Sequence, residues 1–442
     1  MFPRIYTNVP YIMAFLNSKL SSYISDCLNP TVNIQVGDIQ RVPFEIPTHK
    51  IEEIVCRHAL QCIEIRKHIC EFSIIEQNYC KTPISNNGSI NSGIKEFYTY
   101  ENGLNTIVLL NESVINQEIF KLYELSNHDR QMVIDKEKEP VGNLSVSKEA
   151  KESFLNWIKS SKSYSISEEV KAFIEKLPET SNGKALDDLN SLYQNNNEFD
   201  KYCIRHEINP IEAWYQFNES EILPSQRTQV LSFELLTEIV RSILSQDDDG
   251  VIPLGDKMGE ERLAIRIERE FMERGYSAAQ FSQVCHLLGC PLEKYLQEHF
   301  FKQLSDHLNL FMYLPKTPFI WHLTSGKHHA IELYISIYKW TRDTLFRIRS
   351  IYAANREAAI RDRLNSIDTS KTEDRQEATE LRAMLAELEN FCKKIDDLLA
   401  SGYNPKLDDG VGKNIAPLQK RKMISYEVLN AGQLKKYLNA DW

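Results

Sequence analysis

Apolar residues recur at three- and four-residue spacing through most of the chain, which is the pattern of amphipathic helices. Near the start, this spacing predicts a helix from Ile12 to Ile24. The helix must end before Pro30, because proline breaks a helix interior. Asn33-Ile34-Gln35-Val36 alternates between polar and apolar residues, as a half-buried strand does. Val42-Pro43-Phe44 is expected to be extended, because proline disfavours the helical region for the residue before it.

A long helix is predicted over residues 48–78, where Thr48 is a plausible N-cap residue. Residues 95–110 indicate a β-hairpin around Glu101-Asn102-Gly103, and residues 111–125 return to helical spacing. The predicted buried stripe of the long helix comprises Ile51, Val55, Cys62, Ile65, Ile69 and Phe72.

The second half of the chain reads as helices with one clear strand, PFIWHL at residues 318–323. Residues 341–400 carry two long apolar stripes, separated by the polar stretch Asp368-Thr369-Ser370. A short polar break favours antiparallel neighbours, so these residues predict a helical hairpin that turns near residues 367–373. Shorter helices are expected at residues 258–274, 277–288 and 291–306.

These patterns predict a mainly α fold with minor β structure, of the α+β class. Only 16 of the 442 residues are glycine, which favours helices over tight β architecture. The length allows two or three domains. We divide the chain into residues 1–80, a helical middle region at 81–230, and a helical C-terminal domain at 231–442 that contains the small strand, the helical hairpin and the tail.

Composition indicates a cytoplasmic protein with reduced thiols. No apolar run approaches the ~20 residues that a membrane span needs, and the start lacks the features of a signal peptide. The chain has nine cysteines. His58 and Cys62 have a spacing that suits a metal, but no second ligand pair is visible. Buried thiols are the alternative reading, and we predict no metal site.

Motifs of common enzymes are missing from the sequence. It contains no G-x-G-x-x-G, G-x-S-x-G or H-E-x-x-H pattern. Thr324-Ser325-Gly326-Lys327 resembles the end of a phosphate loop, but Trp321 stands where that loop requires glycine. The residues themselves therefore predict no catalytic site.

The segment PFIWHLTSGKHH at residues 318–329 predicts a strand, a turn and then a helix. Amides at a helix start, together with the hydroxyl of Ser325 and the ammonium of Lys327, suit a phosphate of DNA. A capped strand-to-helix turn without a ligand is the alternative, since such turns are common.

Four arginines spaced by seven residues follow on the first helix of the predicted hairpin. The row spans about 31 Å at ~1.5 Å per residue, close to one turn of duplex DNA, roughly 34 Å. The net charge of −10 means that any DNA contact must come from a local patch of this kind. The alternative is that the arginines flank the apolar seam and pair with acids of the second helix. The row comprises Arg342, Arg349, Arg356 and Arg363, and the candidate acids are Glu377, Glu380, Glu387 and Glu389.

Four segments resemble one protein family, the PglX (BrxX) adenine-specific DNA methyltransferases of BREX phage-defence systems. The most specific are LNPTVNIQVGDI, within LNSKLSSYISDCLNPTVNIQVGDIQRVPF at 16–44, and LDDGVGKNIAPLQ at 407–419. FIWHLTSGKHHAIELYISIYKWTRDTLFRIR at 319–349 and NQEIFKLYEL at 116–125 support them. The likeness is loose between about 140 and 310.

The resemblance implies the C-terminal part of a restriction-modification type methyltransferase: the end of a target-recognition domain, a spacer helix and a helical C-terminal region. Such enzymes methylate adenine N6 from S-adenosylmethionine and use an Asn-Pro-Pro-Tyr-type motif. Here Asn-Pro is followed by Thr31, Ile211 or Lys406, so no catalytic residue carries over.

The resemblance also sets the expected partners. We expect double-stranded DNA, a catalytic domain in cis or in trans and possible other BREX subunits, with no membrane and no cofactor held by this chain. S-adenosylmethionine is expected for the full-length family. The alternative function is a helical scaffold that docks other defence-complex subunits.

Overall fold

The computed structural model is mainly helical with a few short strands, which confirms the predicted fold class. It describes residues 6–31, 33, 35–160, 165–180, 189–192, 198–309, 314–367 and 371–439. The chain forms two units: unit 1 is Met1–Ile84 with Asn91–Val230, and unit 2 is Ser85–Ile90 with Leu231–Trp442. Among the described residues, no helix is long and apolar enough to cross a membrane.

Unit 1 is built from helices and one two-stranded parallel pair, β1–β2. Its apolar core includes Tyr11, Phe15, Val55 and Ile119. The elements in chain order are α1 (Val9–Leu16), α2 (Lys19–Leu28), α3 (Val36–Arg41), α4 (His49–Cys70), α5 (Ile90–Leu122), α6 (Asn127–Glu137), β1 (Val146–Ser147), α7 (Lys148–Ser160), α8 (Glu168–Glu175), β2 (Glu179–Thr180), α9 (Phe199–His206), α10 (Pro210–Glu219) and α11 (Ser225–Gln246), the last of which runs on into unit 2.

The predicted first helix is two helices, because Ser18 breaks it. The Ser18 hydroxyl donates to the carbonyl of Phe15 and accepts from the amide of Ser21, so it caps α2. The strand predicted at 33–36 is wrong for Val36, which begins α3, whereas Ile34 lies outside the described residues. Val42 is extended before Pro43, as predicted.

Helix α4 begins after the Thr48 cap as predicted, but it ends at Cys70, earlier than expected. The hairpin predicted at 95–110 is wrong, because these residues lie inside α5. A Cβ on Gly103 would lie 2.2 Å from the Trp157 ring, so glycine is needed here for close packing and not for a turn. Tertiary packing thus overrides the local turn signal of Glu101-Asn102-Gly103.

Unit 2 combines helices with a three-stranded antiparallel sheet in the order β3–β5–β4. The elements are β3 (Val251–Pro253), α12 (Leu263–Glu273), α13 (Ala278–Leu287), α14 (Leu292–Tyr295), a π-turn (Leu296–Phe300), α15 (Phe301–His307), β4 (Ile320–Thr324), β5 (Glu332–Ser336), α16 (Arg342–Arg347), a second π-turn (Ile348–Tyr352), α17 (Ala353–Ser366), α18 (Thr372–Ala400), α19 (Gly410–Lys420) and α20 (Ala431–Leu438).

The predicted strand at 318–323 corresponds to β4, whose five residues are all buried. The helix predicted after Lys327 is wrong: the chain turns back and forms β5. Residues 325–331 therefore connect two antiparallel strands, with Trp321 opposite Ile335 in the register. Ile331, Leu333, Tyr334 and Ile335 are buried together with Glu332, which fits a central strand covered on both faces.

The helical hairpin predicted over 341–400 is present as α16–α17 packed on α18. Arg363 pairs with Glu377 near one end, and Arg349 pairs with Asp396 near the other, so the two arms are antiparallel. The expected turn, Asp368-Thr369-Ser370, lies outside the described residues.

His322 on β4 is fully buried and stacks face to face on Tyr334 of β5, with ring centroids 4.6 Å apart. Neither ring nitrogen has a hydrogen-bond partner among the described residues. The carboxylate of Glu332 is nearest, 3.6 Å from Nε2. Desolvation by burial lowers the pKa of His322 to about 3.

This burial predicts an acid-sensitive sheet. Because the pKa of His322 is about 3 in the folded chain and about 6.5 when unfolded, only the unfolded state takes up this proton between those values. The contribution of His322 to the free energy of unfolding is therefore fully present above about pH 6.5 and decreases by about 1.4 kcal/mol per pH unit between that value and about pH 3. Urea titrations at several pH values should show a shallower pH dependence for His322→Phe than for the unchanged chain.

The exposed His299 provides the control. The variant His299→Phe should keep the pH dependence of the unchanged chain. Equal slopes for His322→Phe and the unchanged chain between pH 4 and 6 would contradict the role of His322.

Candidate nucleic-acid interface

The turn between β4 and β5 is held by one carboxylate, that of Glu387 on α18. The Ser325 hydroxyl donates to Glu387 Oε1 at 2.6 Å, and the amide of His328 donates to Oε2 at 2.7 Å. The amide of Ala330 donates to Oε1 at 3.3 Å. Three donors of the turn thus converge on one anion, and that anion belongs to the protein.

Electrostatics agree with this geometry. Burial alone would raise the pKa of Glu387, but the hydrogen bonds from Ser325, His328 and Ala330 outweigh it and lower the pKa. The Ser325 hydroxyl also accepts from the amide of Ile331 at 3.1 Å, and Ser325 is buried. The site that was expected to bind a phosphate is therefore occupied by the Glu387 carboxylate. Of the two residues predicted to contact that phosphate, Ser325 and Lys327, only Lys327 is exposed.

The four arginines lie on one continuous helical run, Arg342–Ser366, which includes the π-turn Ile348–Tyr352. Thr341 begins it: its hydroxyl accepts from the amide of Thr344, and the Thr344 hydroxyl accepts from the amide of Thr341. A π-turn shifts the residues that follow it around the helix axis. A strict seven-residue row is therefore not preserved along one side.

Two of the four arginines pair with α18. Arg363 forms a two-pronged pair with Glu377, with N–O distances of 2.6 and 2.8 Å. Arg349 lies 3.6 Å from the carboxylate of Asp396. Of the acids expected from the sequence as partners, Glu377 is confirmed, whereas Glu387 binds the strand turn and Asp396 was missed.

The remaining two arginines differ in exposure. Arg356 is half-buried and donates from Nε to the carbonyl of Ala330 at 2.9 Å and from a terminal nitrogen to that of Asp256 at 3.3 Å. Burial lowers its pKa. Arg342 is exposed, and its guanidinium carbon lies 5.8 Å from the centroid of the Phe346 ring.

Nearby cations of the same region also form ion pairs or hydrogen bonds within the protein. Arg347 pairs with Asp249 at 2.8 Å, and Arg361 pairs with Glu357 at 2.7 Å. Lys339 donates to the carbonyl of Ser245 at 2.9 Å. Arg356 has carbonyl acceptors and no ion pair. Among the described residues, Lys327 and Arg342 are the predicted cations with neither an ion pair nor a hydrogen bond to the protein.

The acidic turn near residue 248 forms a second buried network that the sequence did not reveal. Asp247 accepts from Arg266 at 2.7 Å, and the Tyr352 hydroxyl lies 2.9 Å from Glu260 and 3.3 Å from Asp249. Burial tends to raise the pKa of Asp247, but Arg266 outweighs it and lowers the pKa, while burial raises that of Asp249. This network fixes the π-turn from inside unit 2.

His58 and Cys62, the possible metal pair, have other partners. His58 Nδ1 lies 2.5 Å from the side-chain oxygen of Asn111, and Cys62 Sγ lies 3.8 Å from the carbonyl of Val108. Within the described ranges, no group of three or more His, Cys, Asp or Glu residues is arranged to hold a metal ion.

Comparisons with known proteins give one distant relative and no matching family model. The chain is 22% identical over 432 residues to the adenine-specific methyltransferase BrxX of Escherichia coli O9:H4 (strain HS). The match covers 91% of this chain and 32% of that protein, so the chain spans about a third of the relative's length. This similarity supports a distant relation to that methyltransferase family.

The contact between Glu387 and the turn predicts a stability effect. Glu387→Gln replaces the charged acceptor and turns an amide donor towards donors of the turn, so the free energy of unfolding should fall by about 2 kcal/mol. Denaturant unfolding measures this change. Glu389→Gln is the control, because Glu389 is exposed on the same helix, and a change within about 0.5 kcal/mol is expected. Equal effects of the two substitutions would contradict the role of Glu387.

Proposed function

We propose that this chain is a DNA-contacting region of an adenine-specific DNA methyltransferase, and that it carries no chemistry of its own. The observation that carries the proposal is the similarity to a methyltransferase over 91% of the chain. The described residues add a turn with an exposed lysine beside a helix rich in arginine. Both features suit the sequence-independent phosphate contacts that position a protein on a duplex.

The proposed contacts begin with Lys327 and Arg342, whose charges are not used in ion pairs of the described chain. Arg349, Arg356 and Arg363 add positive charge behind them while their contacts fix the helix. Ser325 acts indirectly, because its bond to Glu387 holds the turn that presents Lys327. In this proposal the turn presents Lys327 and the start of the helical run presents Arg342, and the internal contacts of both elements reduce the entropy lost on binding.

S-adenosylmethionine and the catalytic residues belong, in this proposal, to a methyltransferase domain supplied in cis or in trans. The three Asn-Pro sequences of the chain do not continue as Asn-Pro-Pro-Tyr. Asn209 illustrates their use here: it caps α10 by accepting from the amide of Ile211 at 2.9 Å, ahead of Pro210 at the first helical position.

A second candidate function is a scaffold for other subunits of a phage-defence complex. The specific observation in its favour is that Phe346 and Ile351 are 48% and 39% exposed on the helical run that carries the arginines. Exposed apolar side chains of this kind suit a protein partner. The engagement of Arg349 and Arg363 within unit 2 agrees with a bracing role. The dependence of DNA binding on salt separates the two functions.

The first test measures duplex DNA binding at several salt concentrations. Each phosphate contact contributes a slope of about −0.9 in a plot of log affinity against log salt. Replacing Lys327 and Arg342 together by Gln should weaken binding to all sequences alike and flatten the slope by about 1.8. The melting temperature should stay unchanged, because neither side chain has an ion pair among the described residues.

The matched control removes two exposed lysines of unit 1, with Lys50→Gln and Lys159→Gln in one chain. It makes the same change in net charge and should leave the slope unchanged. If both double variants flatten the slope equally, binding depends on total charge and the proposed contacts are wrong. If the unchanged chain shows no salt-dependent binding, the DNA-contacting function is wrong.

The proposed lack of catalytic chemistry in this chain gives a second test. Calorimetric titration with S-adenosylmethionine should show no saturable heat, and incubation with duplex DNA should produce no N6-methyladenine, because the sequence carries no methyl-donor loop or Asn-Pro-Pro-Tyr-type motif. The full-length relative BrxX is the positive control. Micromolar binding of the cofactor by this chain would contradict this part of the proposal.

A further inference from the structure

Unit 1 contains a cavity of about 650 Å³ that the DNA-contacting function does not use. Helices α1, α2, α4, α5, α6 and α9 all contribute to its lining. This volume is in the range of small-molecule sites. Apolar walls come from residues such as Met13, Ile115 and Ile204. Met13 and Ile204 are 36% and 51% exposed, so apolar surface faces the opening.

One carboxylate in the cavity, that of Glu112, has no hydrogen bond or ion pair within the described chain. The Asn116 side chain donates to the backbone carbonyl of Glu112 at 2.8 Å, and the carboxylate takes no part in that bond. The carboxylate is open to the cavity. Surrounding protein still desolvates it, and this burial raises its pKa against the opposing influence of Arg66 and Lys19.

The two cations nearest to Glu112 are held by other acceptors. Lys19 donates from Nζ to the carbonyl of Glu137 at 2.7 Å. Arg66 donates to the side-chain oxygen of Asn105 at 2.6 Å and lies 3.5 Å from Asp200. Neither is bonded to Glu112, so the carboxylate of this exposed residue is an acceptor without a protein donor in a cavity that has both polar and apolar walls. An unpaired carboxylate in the wall of a cavity gains a charge-assisted hydrogen bond from a cation that enters.

Each of the other acids of the cavity has a polar or charged partner, which for Asp135 is Gln131. Asp135 and Glu207 are exposed, whereas Glu137 and Glu139 are half-buried and accept from Ser22 and Asn143. Lys138 lies 3.8 Å from Glu207. The cavity thus offers one unpaired carboxylate, apolar walls and further carboxylates where it opens to solvent. This arrangement, with a carboxylate inside, apolar walls and outer carboxylates, suits a molecule that has two positive charges separated by a hydrocarbon chain.

We propose that this cavity binds a linear aliphatic polyamine. One ammonium group bonds to the Glu112 carboxylate, and the methylene chain lies along Met13, Ile115 and Ile204. A second ammonium group faces the exposed acids Asp135 and Glu207. The proposal does not rest on DNA binding or on methyl transfer, since every residue it uses belongs to unit 1.

Isothermal titration of the full chain with spermidine at 150 mM salt tests the proposal. We expect saturable binding of one spermidine, because the site holds one unpaired carboxylate. Glu112→Gln should weaken the affinity by about tenfold, since a charge-assisted bond becomes a neutral one. 1,8-Octanediol, which has a similar hydrocarbon chain and no charge, should show no saturable binding.

Two further variants separate the cavity from general attraction to an acidic protein. Glu175→Gln removes the same charge from an exposed position of unit 1 outside the cavity and should leave the affinity within twofold. Ile204→Trp narrows the cavity without changing charge and should weaken binding, and it keeps the proposal testable if Glu112→Gln fails to fold in a thermal melt. Any of three results would overturn the proposal. Glu112→Gln and Glu175→Gln could weaken the affinity equally, Ile204→Trp could bind spermidine as tightly as the unchanged chain, or the unchanged chain could show no saturable binding.

Discussion

The bond between Glu387 and the β4–β5 turn is the contact on which the proposed interface of unit 2 depends. It joins the middle of α18 to three donors of a seven-residue connection. The turn includes Gly326 at φ +142° and His329 at φ +50°, both outside the usual range for L residues. A Cβ on residue 326 would lie 3.0 Å from the Glu387 carboxylate, a tight contact that adds to the strain an L residue would have at this φ. The carboxylate and this turn conformation depend on each other.

The same contact decides which charges are available to a partner. Converging amides and a hydroxyl usually make a site for an external anion, and here an internal carboxylate fills it. Arg349 and Arg363 in turn hold α17 against α18, and Arg356 holds it near the turn. The positive charge that remains for the proposed DNA contacts is therefore small: it comes from Lys327 in the β4–β5 turn and from Arg342 at the start of the helical run.

The sequence predicted elements whose signals are local. Thr48 caps α4, apolar spacing marks α18, and an apolar run marks β4. It failed where a distant contact overrides a local signal. Gly103 lies in a helix because Trp157 needs the space, and the residues after Lys327 form a strand because β4 and β3 both pair with them.

The candidate site shows the same limit. Its arginines could be found from their spacing, and one partner, Glu377, was among the expected acids. The role of Glu387 could not, because nothing near position 387 indicates that a turn some sixty residues earlier reaches it. Likewise, the position of Glu112 in a cavity could not be predicted, since that cavity arises from the packing of several helices.

In the proposed interface, the cations left outside the internal network are those that contact DNA. Lysine acetylation followed by mass spectrometry, with and without duplex DNA, measures this for Lys327. DNA should protect Lys327 from modification, while Lys50 and Lys159 of unit 1 should react equally in both conditions. Modification of Lys327 that is unchanged by saturating DNA would contradict the proposed interface.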